Sequence, residues 1–156
     1  MDESITPTFR EAHVGDLPAI VAMLADDPLG AERERLSDPL PRAYTDAFAE
    51  IDGDPNNELI VATVDGNVVG VMQLTFIPGL SHQGALRCQV ESVRVHSAWR
   101  SHGFGGSLLE RAVSRARERD CMMVQLTSDK SRTDARRFYE RIGFTASHEG
   151  MKLRIG

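Results

Sequence analysis

Residues 85–116 place a β-rich run, a glycine cluster and an amphipathic helix end to end, and few folds accommodate that order. The cluster lies in HSAWRSHGFGGSLLERA, residues 96–112, at Gly103, Gly105 and Gly106. After it, Phe104, Leu108, Ala112 and Ala116 form one helical stripe, with Leu109 and Val113 beside it. A glycine-rich turn that ends a strand and opens a helix aims several free backbone N–H groups at one point, and the helix dipole favours an anion there. Glycine matters because an anion must reach the main chain with no Cβ in its path.

The strand ahead of the turn, ALRCQVESVRV, alternates irregularly. Leu86, Cys88 and Val90 share one parity and Val93 and Val95 the other. A strand covered on both faces would do this, and so would a β-bulge near Glu91–Ser92 that moves the pleat on by one residue. We favour the bulge.

Around this segment the pattern is that of one domain, residues 1–156, without repeats or low-complexity tracts. A short strand is expected at 8–12, then a helix over 17–25 capped by Asp16, with Pro18 in its first turn. Residues 26–41 read as a loop holding a broken helix. A helix over 42–51 would bury Tyr44, Phe48 and Ile51. ELIVATV and VVGVMQLTFI, joined by DGN, read as a hairpin. CMMVQLT, 121–127, is a short apolar strand, and Ser131 with Asp134 suggests a capping box for the next helix, stopped by Gly143. Residues 144–147 and 150–155 read as a closing hairpin. Hairpins first, then alternating strands and helices, predict a mixed sheet with helices on both faces.

Bulk properties exclude several classes. A chain of 156 residues can bury roughly 70% of its unfolded surface. The net charge of −5 argues against broad nucleic-acid binding, although an anionic small ligand needs only local positive potential. Cys88 and Cys121 do not make a disulfide framework, and both lie in apolar runs as expected of buried thiols. No run of 18 apolar residues suggests a membrane span, and the acidic start lacks a signal core, so a cytoplasmic location is expected. His82, His96, His102 and His148 show no metal-ligand spacing, so no metal is expected.

Three anion loops compete for the glycine turn. A Walker loop needs lysine after the last glycine, where Ser107 and Leu108 stand. A dinucleotide fingerprint needs a third glycine at position 108. Arg-x-x-Gly-x-Gly is matched by Arg100, Gly103 and Gly105. In its flanks this third pattern resembles the GNAT superfamily of N-acetyltransferases. VESVRVHSAWRSHGFGGSLLERAVSRARE looks like that superfamily's acetyl-coenzyme A segment, and ARRFYERIGF, 135–144, resembles its second hallmark.

The resemblance implies an α/β fold of the α+β type, a single GNAT-like domain with a mixed, mostly antiparallel sheet of six to seven strands. It implies acetyl-CoA as co-substrate, a small-molecule or peptide amine as acceptor, and allows a homodimer. Main-chain groups of Val93, Arg94 and Val95 would pair with the pantetheine arm. Amides of Arg100, Ser101, His102, Gly103, Phe104, Gly105 and Gly106 would hold the pyrophosphate, with Ser107 nearby and Phe104 mostly core. Arg132 and Asp134 stand where asparagine is common, and Arg132 is a candidate phosphate contact.

Tyr139 matches the tyrosine whose hydroxyl reaches the coenzyme sulfur in many members. With an ordinary pKa of about 10 it is neutral and can donate to a departing thiolate. Glu91, at the suspected bulge, is the candidate base, acting through water on an amine that is otherwise protonated. The N–H of Ser92 or Val93, freed by a bulge, would polarise the thioester carbonyl. Arg87, Gln89, Phe76 and Asp27 are weaker candidates for the acceptor side, and the acidic balance favours a cationic acceptor. The alternative function is a non-catalytic acyl-CoA-binding sensor or interaction module.

Overall fold

A computed structural model describes residues 4–156. The chain runs β1 (Thr8–Glu11), α1 (Leu17–Ala25), α2 (Pro28–Arg33), α3 (Arg42–Asp52), β2 (Asn57–Val64) and β3 (Asn67–Pro78). It continues through a single irregular turn, α4 (Ser81–Gly84), then β4 (Leu86–Val95), α5 (Phe104–Glu118), β5 (Met123–Leu126) and α6 (Thr133–Ile142). The strands form one sheet in the order β1-β2-β3-β4-β5. Pairing is antiparallel throughout except for the parallel β4–β5 pair. Among the described residues no helix is long and apolar enough to cross a membrane.

The DGN signal resolves as a two-residue turn at Asp65 (φ 50°) and Gly66 (φ 79°), closed by the Val64–Asn67 pair. Positive φ at both central positions matches the right-handed twist of the flanking strands. Helices cover both faces, as the mixed pattern predicts. On one face Met72, Leu74, Phe76, Cys88 and Val90 pack against Phe104, Leu108, Leu109 and Ala112 of α5. On the other, Val61 and Val71 pack against Leu17, Ile20 and Met23 of α1, with Phe48 of α3 at the margin. Tyr44 and Ile51, expected in the core, are only half-buried, so α3 lies on the sheet's periphery.

Several local expectations are corrected. Among the described residues the sheet has five strands rather than six to seven, because 144–147 and 150–155 form no ladder. Their alternation suits a strand, yet a strand exists only through a neighbour to pair with. Asp16 precedes α1 but does not cap it. Its carboxylate instead accepts from Arg10 Nη1 at 2.7 Å and Nη2 at 2.9 Å and from the His13 amide at 2.8 Å. Ser131 does not cap α6; its amide and hydroxyl donate to Asp129 Oδ1, and Arg132 holds the cap position. Gly143 does end α6, at φ 120°. Cys88 is fully buried, which pushes its thiol up to about 12, whereas Cys121 is only half-buried.

Candidate functional site

The site begins where β4 and β5 part. Their parallel pairing covers Arg87 to Val90 against Met123 to Leu126 and then stops. From Glu91 to Val95, β4 remains hydrogen-bonded to β3 alone, so its other edge is open. The same stretch holds the irregularity anticipated in the sequence. Gln73 faces Glu91 and Val71 faces Arg94, so the two residues Ser92 and Val93 oppose the single residue Met72, and Ser92 takes φ 57°. The extra residue returns Val93 and Val95 to the α5 face already used by Cys88 and Val90. It also puts Glu91 and Arg94 together on the opposite face, which Val71 shares with α1.

The glycine turn follows β4 beyond this open stretch and leads into α5. Ser101 (φ 70°) and Gly103 (φ 78°) are left-handed, and the chain enters α5 at Phe104. The Ser107 amide donates to the Gly103 carbonyl at 3.1 Å, so the amides of Phe104, Gly105 and Gly106 lie ahead of the helical ladder. The three glycines divide the work. A Cβ at Gly106 would meet nothing within 4 Å, leaving that side open to a ligand. A Cβ at Gly105 would lie 3.1 Å from the Phe138 ring, so this glycine lets α6 approach the first turn of α5. The His102 ring packs on Trp99 and Phe104, with Nδ1 3.0 Å from the Arg100 carbonyl. A nitrogen that faces a carbonyl oxygen must carry the proton, so the imidazole folds the loop.

Beside the glycine turn, α6 presents Tyr139, half-buried between Phe138 and Phe144. Burial raises its pKa above the ordinary value, and the charges of Arg94 and Arg132 oppose that rise without cancelling it. The phenol is therefore protonated at neutral pH.

Two acidic residues at the α1–α2 junction draw these parts together. Asp27 caps α2 through the Gly30 amide and accepts from Arg132 Nη1 at 2.7 Å, while Arg94 Nε lies 3.8 Å from the same carboxylate. Burial alone would raise the pKa of Asp27; the Gly30 amide and the Arg132 and Arg94 charges bring it below the usual carboxylate range. Asp26 pairs with Arg100 of the glycine loop at 3.3 Å. Arg94 Nη1 donates to its neighbour's carbonyl, on Val93, at 2.9 Å, but its buried Nε has no hydrogen-bond partner. Burial and the nearby charge of Arg132 push its pKa down, against the pull of Asp27. Arg33 adds positive charge to this cluster. The sequence carries no sign of this cluster, because Asp27 and Arg132 stand 105 positions apart.

The remaining candidates are dispersed. Glu91 is exposed and makes no ion pair among the described residues. Gln89 Oε1 accepts from Gln125 Nε2 at 2.7 Å, bracing the two strands one rung before their pairing ends. Arg87 lies further back, opposite Ile77. Phe76 is fully buried with the Arg119 guanidinium 4.2 Å from its ring centre, on the face opposite Gln89 and Glu91, so it is a core residue and not an acceptor contact. The Ser107 hydroxyl donates back to the Gly103 carbonyl at 3.2 Å. Among the described residues no group of three or more His, Cys, Asp or Glu is arranged to hold a metal.

The family described as "Acetyltransferase (GNAT) family" matches residues 21–144. The aminoalkylphosphonate N-acetyltransferase of Salmonella typhimurium is 32% identical over 107 residues, 69% of each chain. A crystal structure described as a transcriptional regulator from Bacillus halodurans C-125 is 53% identical with a TM-score of 0.93, covering 96% of this chain and 100% of that one. A putative acetyltransferase from Agrobacterium tumefaciens str. C58 is 26% identical with a TM-score of 0.80, covering 95% and 99%.

Proposed function

The chain belongs to the GNAT acetyltransferase family and is an acyltransferase acting on an amine; on that premise we propose that its donor is acetyl-CoA and its acceptor a small primary amine that also bears an anionic group. The observation that carries the donor assignment is the split. The open edge of β4 leads from Glu91 to Val95 toward the free amides of α5, and Tyr139 stands beside that path.

The cradle fits coenzyme A. Amides of Phe104, Gly105 and Gly106 accommodate a pyrophosphate at the helix N-terminus, and Gly106 leaves the approach free. Main-chain groups of Val93 and Val95 pair with an extended amide-bearing arm as an added strand would. Acetyl-CoA, when bound, supplies the acetyl group as a thioester. The Ser92 or Val93 amide at the bulge donates to its carbonyl oxygen, where negative charge develops. Glu91 takes a proton from the ammonium of the acceptor through water, freeing the nitrogen lone pair. As the new C–N bond forms and the C–S bond breaks, Tyr139 would give its phenolic proton to the leaving sulfur, and the second proton that the nitrogen sheds on becoming an amide would return to the phenolate through water. Both substrates are held together, so the transfer is direct.

The acceptor assignment rests on local charge, which here outweighs the acidic balance of the chain. Arg94 and Arg132 lie by Tyr139, with the Asp27 carboxylate between them and a nitrogen on Arg94 that has no hydrogen-bond partner, and Arg33 adds positive charge at Arg94. A phosphonate or carboxylate suits that cluster. The name of the 32%-identical relative describes an acceptor of this type. A thiol-release assay with acetyl-CoA against aminoalkylphosphonates, amino acids, aminoglycosides and peptides tests both assignments. Release is expected to be fastest with the aminoalkylphosphonates. Release confined to polycationic acceptors would overturn the acceptor class, and coenzyme binding without release from any amine would favour a binding module.

A further inference from the structure

The sheet face away from α5 carries two amide side chains whose orientation is set by one carboxylate. Asn57 of β2 stands opposite Thr75 of β3, and Gln73 of β3 stands opposite Glu91 of β4, all four on that face. Helix α1 packs on Val61 and Val71 there, while Gln73 is half-buried and Glu91 exposed.

Asp54 offers only acceptors, and its Oδ2 takes a hydrogen bond from Asn57 Nδ2 at 2.9 Å. Asn57 must therefore turn its Oδ1 toward β3, where the Thr75 hydroxyl donates to it at 2.8 Å and Gln73 Nε2 at 3.3 Å. Turning either amide over would set two NH2 groups or two carbonyl oxygens face to face. Gln73 has thus committed its nitrogen and is left with Oε1, which takes no hydrogen bond among the described residues.

The consequence falls on Glu91. Directly opposed residues on one face of an antiparallel ladder have Cβ atoms about 4.5–5.5 Å apart. Here they bring together a carboxylate and a carbonyl oxygen, both acceptors. Such a pair calls for a donor with more than one N–H, and a primary ammonium supplies three. Arg94, opposite Val71, is the next residue of β4 on the same face, so an acceptor whose anionic group meets Arg94 brings its nitrogen to this pair.

We propose that Gln73 Oε1 holds the acceptor nitrogen beside Glu91, and that Asn57 and Asp54 are positioning residues that keep this oxygen, rather than the amide nitrogen, turned to the site. The inference rests on the reading of Glu91 as the base. One N–H of the ammonium donates to Gln73 and another to the water on Glu91. Once that proton has left, the amine keeps an N–H for Gln73, which fixes the direction of its lone pair. An amide nitrogen in the same place would donate to Glu91 and repel the ammonium.

Steady-state kinetics with aminoethylphosphonate, or with whichever amine releases thiol fastest, tests this. Gln73→Leu is expected to raise the acceptor KM about 10-fold or more, the size of a lost hydrogen bond to a charged group, with coenzyme A affinity unchanged. An unchanged KM would overturn the proposal. Ethylphosphonate, which has no nitrogen, is expected to inhibit wild type and variant alike; equal weakening of both ligands would overturn the role of Gln73. If ethylphosphonate inhibits neither protein, the anion site at Arg94 fails alone and the KM still decides for Gln73. Asn57→Ala is expected to raise KM by a similar factor, and the double variant to be no worse than Gln73→Leu. Additive losses would overturn the relay through Gln73. Should Asn57→Ala not fold, Asp54→Ala, at an exposed position, takes its place in the same cycle.

Discussion

Arg132 at the start of α6 donates to Asp27 at the α1–α2 junction at 2.7 Å, and Arg94 of β4 lies 3.8 Å from the same carboxylate oxygen. One carboxylate thus ties three separate elements beside Tyr139 and also caps α2. Asp27→Ala is expected to lose about 1–2 kcal/mol of stability through the cap alone, whereas Asp27→Asn keeps the cap and loses less. Denaturant midpoints of the two variants separate the roles, and equal losses would show that the charge rather than the cap matters.

The same junction depends on Gly30. A Cβ there would lie 1.9 Å from the Leu24 carbonyl oxygen, a backbone atom that cannot swing aside. Gly30→Ala is expected to destabilise the fold by about 3 kcal/mol, a size reserved for steric or buried polar defects. Thermal unfolding checks it.

Gly105 and Gly106 are adjacent, yet their alanine variants should behave differently. At Gly106 the added methyl meets no protein atom, so helix propensity can raise stability by up to about 1 kcal/mol while coenzyme affinity falls. At Gly105 the methyl presses on Phe138, so Gly105→Ala is expected to be the less stable of the pair. Calorimetric titration with coenzyme A, beside thermal melts, measures both effects.

Tyr139→Phe removes the proton donor and little else. Turnover is expected to fall about 100-fold or more, the range for a positioned acid, with coenzyme affinity nearly unchanged. Because burial holds the phenol above its ordinary pKa, the wild-type rate should show no alkaline loss from Tyr139 near neutrality. Unchanged turnover in the variant would remove the assignment.

Asp16 sets an acid limit on stability. The Arg10 hydrogen bonds, aided by the His13 amide, hold its carboxyl below the usual range despite burial. A depressed folded pKa gives stability that is full above the unfolded value of about 3.9 and is lost as pH falls through the folded value. Asp16→Asn should therefore flatten the fall in denaturant midpoint below about pH 4. An identical acid limb in both proteins would place the effect elsewhere.

Helix α1, the β2–β3 hairpin and the glycine turn all fall where periodicity and turn residues put them, because each is signalled by neighbours within a few positions. Even the bulge left a trace, as the change in parity between Val90 and Val93. Asp16 and Ser131 leave their helices uncapped for a physical reason. A carboxylate or hydroxyl takes the nearest strong partner, and here these were Arg10 and Asp129.

By itself, then, the sequence determined the order of elements from β1 to α6, the two faces of the sheet and the glycine turn that opens α5, since all three follow from residue spacing along a regular backbone. Only the tertiary structure decided the rest. It assigned Gly105 to packing and Gly106 to open space, and it buried Phe76 under Arg119. It gathered Asp27, Arg94 and Arg132 around Tyr139 and left Met151, Leu153 and Ile155 outside the sheet. Charges, ring contacts and strand edges meet through space, and no local period records which distant residue will stand opposite.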